Sequence, residues 1–280
     1  MGLRVIVAQP HGFCAGVSRA IKIVKDTAQK YPGKTIYLLG EIVHNRHVVN
    51  DLKKNYRVKI VNSTNDLPKG SILIIRAHGA APAVHRLKNL IIVDATCPLV
   101  KKVHDEVRRL KNKNIIYLVS SRDHDEAVGV LAEGSNITAY TLVEFNKIKA
   151  DKNSVLITQT TLSVQETEEF IKKLKKKYPM LKVLPHICPA TTDRQRAVKQ
   201  LAEVCDLILI VGSHESSNSQ RLYETAKSSG KPAYIVDHVG EIKRSWLKNC
   251  HTVGLSSGAS TPEDILQSVY NYLTNLYASS

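Results

Sequence analysis

The sequence predicts an α/β fold: three similar small domains of mostly parallel sheet, in pseudo-threefold arrangement about a shared centre. Short β-branched runs alternate with amphipathic stretches from end to end, the pattern of parallel sheets built from βαβ units. The three-part division comes from cysteine. Cys14, Cys97 and Cys188 each close an apolar run and open a helix-like stretch, in VIVAQPHGFCAGVSRAIKIV, LIIVDATCPLVKKVHDEV and VLPHICPATTDRQRAVKQLA. Around these equivalent thiols the chain divides into residues 14–96, 97–187 and 188–280, with the strand in 1–13 joined to the third.

The opening MGLRVIVAQPHG reads as a strand and a turn. Its apolar run is too short for a signal peptide and no small-residue cleavage site follows, so the chain is expected in the cytoplasm. Strand-like runs then cover residues 35–39, 71–75, 90–94, 115–119, 154–158, 207–211 and 233–236. Between them, Val17, Ile21 and Val24 share one helical face, and Val100, Val103, Val107 and Leu110 share another. A closing helix is expected over 261–277, with Thr261 as N-cap, Pro262 at the first helical position and Glu263 close behind.

A chain of 280 residues with 43% hydrophobic and 23% charged residues is long enough for a sizeable core. No apolar run approaches the roughly 18 residues of a membrane span, so no membrane partner is expected. Five widely spaced cysteines make no disulfide framework, and thiols or metal ligands are expected instead. The net charge of +15 admits nucleic acid, an anionic substrate or an acidic partner protein. Part of it, at Lys172, Lys173, Lys175, Lys176 and Lys177, has the spacing of a solvated helix face.

In parallel sheets, ligands bind beyond the carboxyl ends of the strands. The residues able to do chemistry fall there. GEIVHN brings Glu41, His44 and Asn45, RAHG brings His78 and Gly79, and SSRDHDE brings His124 and Glu126. His47, His85, His104, His214, His238 and His251 lack that recurrence and read as surface or packing residues. TQTTLS, GSHESSNS and SSGAST cluster hydroxyls before helices. Helix capping accounts for part of them, but Ser216, Ser217, Asn218 and Ser219 exceed what one cap requires and suit a phosphate or diphosphate. No Walker loop and no GxGxxG occurs, so a nucleotide is not favoured.

Cys205 and Cys250 flank strands and read as buried small hydrophobes. For Cys14, Cys97 and Cys188 a shared soft-metal site is expected. Zinc signatures usually bring close cysteine pairs and no CxxC occurs, whereas an iron–sulfur cluster accepts distant thiolates gathered by the fold. Three thiolates leave one position open to a substrate oxygen.

With HGFCAGV, EIVHN, RAHG, DATCPLV, TQTTLS, ICPATTDRQ, SSNS and SGAS in this order, the chain resembles the 4-hydroxy-3-methylbut-2-enyl diphosphate reductase family of the non-mevalonate isoprenoid pathway. The resemblance runs from Cys14 to the final helix. It departs at DHDE, where the family usually has glycine before the histidine and this chain has Asp123, although His124 and Glu126 keep their spacing. The resemblance implies one 4Fe-4S cluster on Cys14, Cys97 and Cys188. It also implies a substrate diphosphate held by His44, His78, His124, Ser216, Ser217, Asn218 and Ser260. The implied reaction reductively removes the allylic hydroxyl, with two electrons from a ferredoxin or flavodoxin, giving isopentenyl and dimethylallyl diphosphates.

Hydroxide leaves poorly, so protonation must accompany C–O cleavage. Glu126 is the expected proton donor, and Thr160 with His124 orient the hydroxyl and relay protons. Two other readings compete. A nucleic-acid-binding role is weakened by an aromatic content of only 5% and by the absence of any recognised motif. A three-cysteine hydro-lyase would use the open iron without any reductant.

Overall fold

The computed structural model describes residues 3–276. In chain order, β1 (Arg4–Val7) leads to α1 (Ala15–Lys30), β2 (Ile36–Leu39), α2 (Arg46–Tyr56), β3 (Val58–Val61), β4 (Ile72–Ile75), the short α3 (Pro82–His85) and β5 (Ile91–Asp94). There follow α4 (Pro98–Arg109), β6 (Asn114–Leu118), α5 (Asp125–Leu131), β7 (Ile137–Tyr140), β8 (Ser154–Thr158), α6 (Val164–Lys177) and β9 (Lys182–Leu184). The last part holds α7 (Pro189–Val204), β10 (Leu207–Val211), α8 (Ser217–Ser228), β11 (Ala233–Val236), β12 (Thr252–Ser257) and α9 (Glu263–Asn275). None of these helices is long and apolar enough to cross a membrane.

The strands form three four-stranded sheets, ordered β3-β2-β4-β5, β7-β6-β8-β9 and β1-β12-β10-β11. Every pairing is parallel. The α/β class is therefore as the apolar runs predict. Read from its first strand, each sheet has one internal order: second, first, third, fourth. In the third sheet the first three places belong to β10, β11 and β12, and the fourth is filled by β1 from the other end of the chain.

Contacts group the described residues into two compact units. One comprises 3–15, 44–48 and 189–276 and contains the third sheet, while the other comprises 16–43 and 49–188 and contains the first two. Within each unit, the central strands are buried on both faces, which is why they read as unbroken apolar runs. Ile208 and Ile210 of β10 pack with Val198 and Leu201 of α7 and Leu222 of α8, whereas Leu207 and Leu209 pack with Leu266, Val269 and Leu273 of α9. In β6, Ile115 and Tyr117 pack with Val103 and Val107 of α4 and Val130 of α5, and Ile116 and Leu118 with Phe170 and Leu174 of α6. Each such aliphatic side chain contributes about 1.5–3 kcal/mol by leaving water.

Two expectations need correction. The closing helix starts at Glu263 with Pro262 as its extended N-cap residue; the Thr261 hydroxyl caps nothing and donates to the carbonyl of Val211 at 2.8 Å. Tyr277, the expected end of that helix, lies outside the described residues. Cys205 is buried, but Cys250 is only half-buried, its thiol donating to the carbonyl of Trp246 at 3.3 Å after a 3₁₀ turn.

Candidate active site

The repeated strand order sorts the expected site residues into three sets. His44, His124 and Ser216 follow the first strands β2, β6 and β10; His78, Thr160 and Ser260 follow the third strands β4, β8 and β12; Cys97, Cys188 and Cys14 follow the fourth strands β5, β9 and β1. First and third strands are neighbours, and in the first two sheets their outgoing chains lead to strands on opposite sides. Such a switch point leaves a crevice beyond the strand ends. The sequence treats the three histidines as one set, but His44 and His124 occupy first-strand loops and His78 a third-strand loop.

The cysteines are tied down alike. The backbone N–H of Cys97 donates to Ala77 at 2.9 Å, that of Cys188 to Thr160 at 2.9 Å, and that of Cys14 to Ala259 at 3.0 Å. In each case the acceptor belongs to the third-strand loop of the same sheet. Cys97 and Cys188 stand directly before a proline that opens a helix. The Cys14 loop turns at Gly12, with φ of +67°; its N–H is held by Ser257 Oγ at 2.8 Å and its carbonyl by the buried Arg194 Nη2 at 2.8 Å. All three cysteines are half-exposed.

Glu126 lies in the first turn of α5, under its N-cap His124, whose Nδ1 accepts the Glu126 N–H at 3.1 Å. The residue is 1% exposed. Its Oε1 accepts from the backbone N–H of Thr160 at 3.0 Å and from the Tyr117 hydroxyl at 3.2 Å; its Oε2 is 2.6 Å from Thr160 Oγ1. Burial pushes the carboxyl above its ordinary range, against the pull of the Thr160 and Tyr117 hydrogen bonds. A carboxyl whose pKa is raised by burial, bonded to a hydroxyl, has the chemistry of a general acid. Thr160 thereby touches Glu126 through its N–H and hydroxyl and Cys188 through its carbonyl. In the same unit the rings of His78 and His124 meet edge to face, 5.7 Å between centroids.

The other unit assembles a different surface. Asn45 Oδ1 caps α2, accepting from His47 at 3.0 Å and Val48 at 3.3 Å, and the Ser260 hydroxyl donates to the carbonyl of His44 at 3.4 Å. The loop continues to Arg46 and His47, which both pair with the buried Asp237. Ser216 is the N-cap of α8, its Oγ accepting from Ser219 at 3.4 Å. Asn218 is 6% exposed, yet neither its amide nitrogen nor its amide oxygen has a hydrogen-bond partner among the described residues. Orphaned polar groups of this kind are costly, and the unpaired N–H groups of a helix N-terminus favour an anion.

Residues 5–274 match the family model described as LytB protein. The chain belongs to the LytB protein family. Among its relatives, the 4-hydroxy-3-methylbut-2-enyl diphosphate reductase of Wigglesworthia glossinidia brevipalpis is 42% identical, over 99% of this chain and 92% of the relative. The protein of the same name from Mycolicibacterium paratuberculosis is 43% identical, over 96% and 84%. The solved structure of the Plasmodium falciparum E-1-hydroxy-2-methyl-but-2-enyl-4-diphosphate reductase superposes with a TM-score of 0.92 at 35% identity, over 98% of this chain and 89% of that one. A second solved structure, of an (E)-4-hydroxy-3-methyl-but-2-enyl diphosphate reductase, gives 0.67 at 31% identity, over 98% and 99%.

The structure of this LytB chain adds residues that the sequence did not single out. Arg76, in RAHG, pairs with Asp125. Gln159, in TQTTLS, is fully buried and accepts from both the N–H and the hydroxyl of Ser120, at 2.8 and 3.0 Å, clasping the ends of β6 and β8. Tyr117, the one polar-tipped side chain among the buried residues of β6, reaches Glu126. In each case the signal was a polar residue inside or directly after an apolar run.

Proposed function

We propose that this chain is a 4-hydroxy-3-methylbut-2-enyl diphosphate reductase. It removes the allylic hydroxyl of (E)-4-hydroxy-3-methylbut-2-enyl diphosphate, taking up two electrons and two protons, releasing water and giving isopentenyl and dimethylallyl diphosphates. Family membership supports the substrate. One observation carries the chemistry: a fully buried Glu126, its pKa raised by burial, bonded to Thr160 at the carboxyl end of β8.

The donor set suits an iron–sulfur cluster. Cys14, Cys97 and Cys188 present half-exposed thiols at equivalent points of three sheets, whereas the Cys205 thiol is buried in the core with burial raising its pKa, and Cys250 bonds a local carbonyl. When bound there, a 4Fe-4S cluster supplies the electrons and polarises the leaving hydroxyl. The chain's own residues do the rest. Glu126 gives its proton through Thr160 to the departing oxygen, and His124 fixes the start of the helix that carries Glu126. Ser216, Ser217, Asn218 and Ser260 bind the diphosphate with neutral donors at the positive end of α8, and His44 and His78 add imidazole donors. The electrons arrive from a ferredoxin or flavodoxin.

Anaerobic loading with iron and sulfide, followed by turnover with a dithionite-reduced viologen, tests this. Both C5 diphosphates should form, substrate should persist without reductant, and Cys97→Ser should lower bound iron. Substrate loss without reductant would instead establish a lyase.

A further inference from the structure

The Glu126 carboxyl has two oxygens in unlike surroundings. Oε1 is met by two donors, the Thr160 N–H at 3.0 Å and the Tyr117 hydroxyl at 3.2 Å, while Oε2 meets the Thr160 hydroxyl at 2.6 Å. An N–H cannot accept, so a proton on Oε1 would require the Tyr117 hydroxyl to turn around and give up its own acceptor. A proton on Oε2 faces a hydroxyl that accepts it and donates onward. Tyr117 is fully buried in β6 among aliphatic residues, where phenylalanine would fill the same space. Its hydroxyl donates to Glu126.

We propose that Tyr117 is a positioning residue of the reaction: its hydroxyl occupies Oε1 and so directs the Glu126 proton to Oε2 and out through Thr160. The Oε2–H bond breaks as Thr160 Oγ1 gains that proton and passes its own to the departing oxygen. The carboxylate left behind keeps its two Oε1 donors and regains a proton from solvent before the next turnover. Burial and the neighbouring carboxyl push the Tyr117 hydroxyl well above its ordinary pKa, so it donates a hydrogen bond without losing its proton. Among the described residues, Tyr117 from β6 faces the carboxyl, His124 accepts from the Glu126 backbone N–H, and Asp125 is turned to Arg76; Thr160, after β8, is neutral. The kinetic part of the test rests on the reductase reading, and the spectroscopic part does not.

In the cluster-loaded enzyme, Tyr117→Phe should lower kcat about tenfold with KM unchanged. Removing a donor to the carboxylate raises the Glu126 pKa, so the alkaline limb of kcat against pH should move to higher pH. The infrared C=O band of protonated Glu126, identified by its loss in Glu126→Gln, should move to higher wavenumber as Oε1 loses a donor. Site-specific 3-fluorotyrosine at 117, a stronger donor of nearly the same volume, should shift limb and band the opposite way. Glu126→Gln/Tyr117→Phe should turn over no more slowly than Glu126→Gln alone. If the loaded protein lacks reductase activity, the band alone decides; if Tyr117→Phe does not fold, the fluorotyrosine protein decides. An unmoved band with an unmoved limb overturns the assignment.

Discussion

Arg76 Nη1 stands 2.5 Å from Asp125 Oδ2, joining the loop after β4 to the first turn of α5. The guanidinium fills the space a Cβ on Gly40 would need, at a backbone φ of +73° that itself favours glycine, and lies within reach of the charge of Glu41. The same Asp125 oxygen is 4.0 Å from His78 Nδ1. One ion pair thus links the turn carrying His78 with the helix carrying His124 and Glu126.

Removing either partner strands a mostly buried charge. Arg76→Ala and Asp125→Ala should each cost about 2–4 kcal/mol in urea unfolding, and the double variant less than their sum. Gly40→Ala should behave like Arg76→Ala plus about 1–2 kcal/mol for the left-handed backbone. Strict additivity of Gly40→Ala and Arg76→Ala would show that the glycine does not seat the guanidinium.

Glu126→Gln should reduce kcat by about 10²–10⁴ while KM and bound iron stay constant. Its raised pKa also sets a stability profile. The native state holds a proton that the unfolded chain has lost, so wild-type stability should fall as pH rises from the unfolded glutamate value through the raised one. The Gln variant should be flat over that window, and chemical denaturation at several pH values compares them.

Asn218 predicts a trade of stability against function. Asn218→Leu replaces an amide with no hydrogen-bond partner among the described residues by an isosteric apolar group and should stabilise the protein by about 1–2 kcal/mol. The same change should raise KM for the diphosphate by about tenfold or more with little effect on kcat. A destabilised variant with unchanged KM would remove Asn218 from the anion site.

His104 and Glu133 form a pair at 2.6 Å with side-chain exposures of 7% and 4%. Their removal tests packing near the site, because Gly79 and Gly129 both pack against the His104 ring. Glu133→Ala should cost about 3–5 kcal/mol by thermal or urea unfolding, since it leaves a buried imidazole without its carboxylate.

Glu144 contributes to the acid limb of stability. The Thr141 backbone N–H, then Lys147 and Arg122, hold its carboxyl down to about 2. A depressed acid stabilises the fold above its unfolded pKa and loses that contribution as pH falls toward the folded value. Glu144→Gln should therefore be less stable than wild type at pH 6, with the two curves converging between pH 4 and 2.

The sequence is most readable where strands are buried on both faces: ILII of β4, the VLI core of β8 and LILIV of β10 are unbroken apolar runs. The outer strands β3 and β7, partly exposed VKIV and ITAY, do not announce themselves. Residue type at strand ends locates the histidines and cysteines, because the parallel topology forces ligand groups there. It does not reveal which oxygen of Glu126 meets which donor, or that Arg76 turns to Asp125. Those contacts join loops distant in sequence and depend on the direction of a side chain. Thr261 shows the same limit, its type fitting a cap while its hydroxyl goes to Val211.

The pairing of β1 with β12, Arg4 beside Thr252, bears on how the chain folds. The first two sheets close from local segments, but the third cannot be finished until its last strand has been made. During synthesis β1 emerges well before β12, the one strand it pairs with. Contacts so distant in sequence are slow to form and open to mispairing. Moving that strand to follow α9 by circular permutation would give three consecutive copies of one strand order, and a faster, more local route to the same sheets.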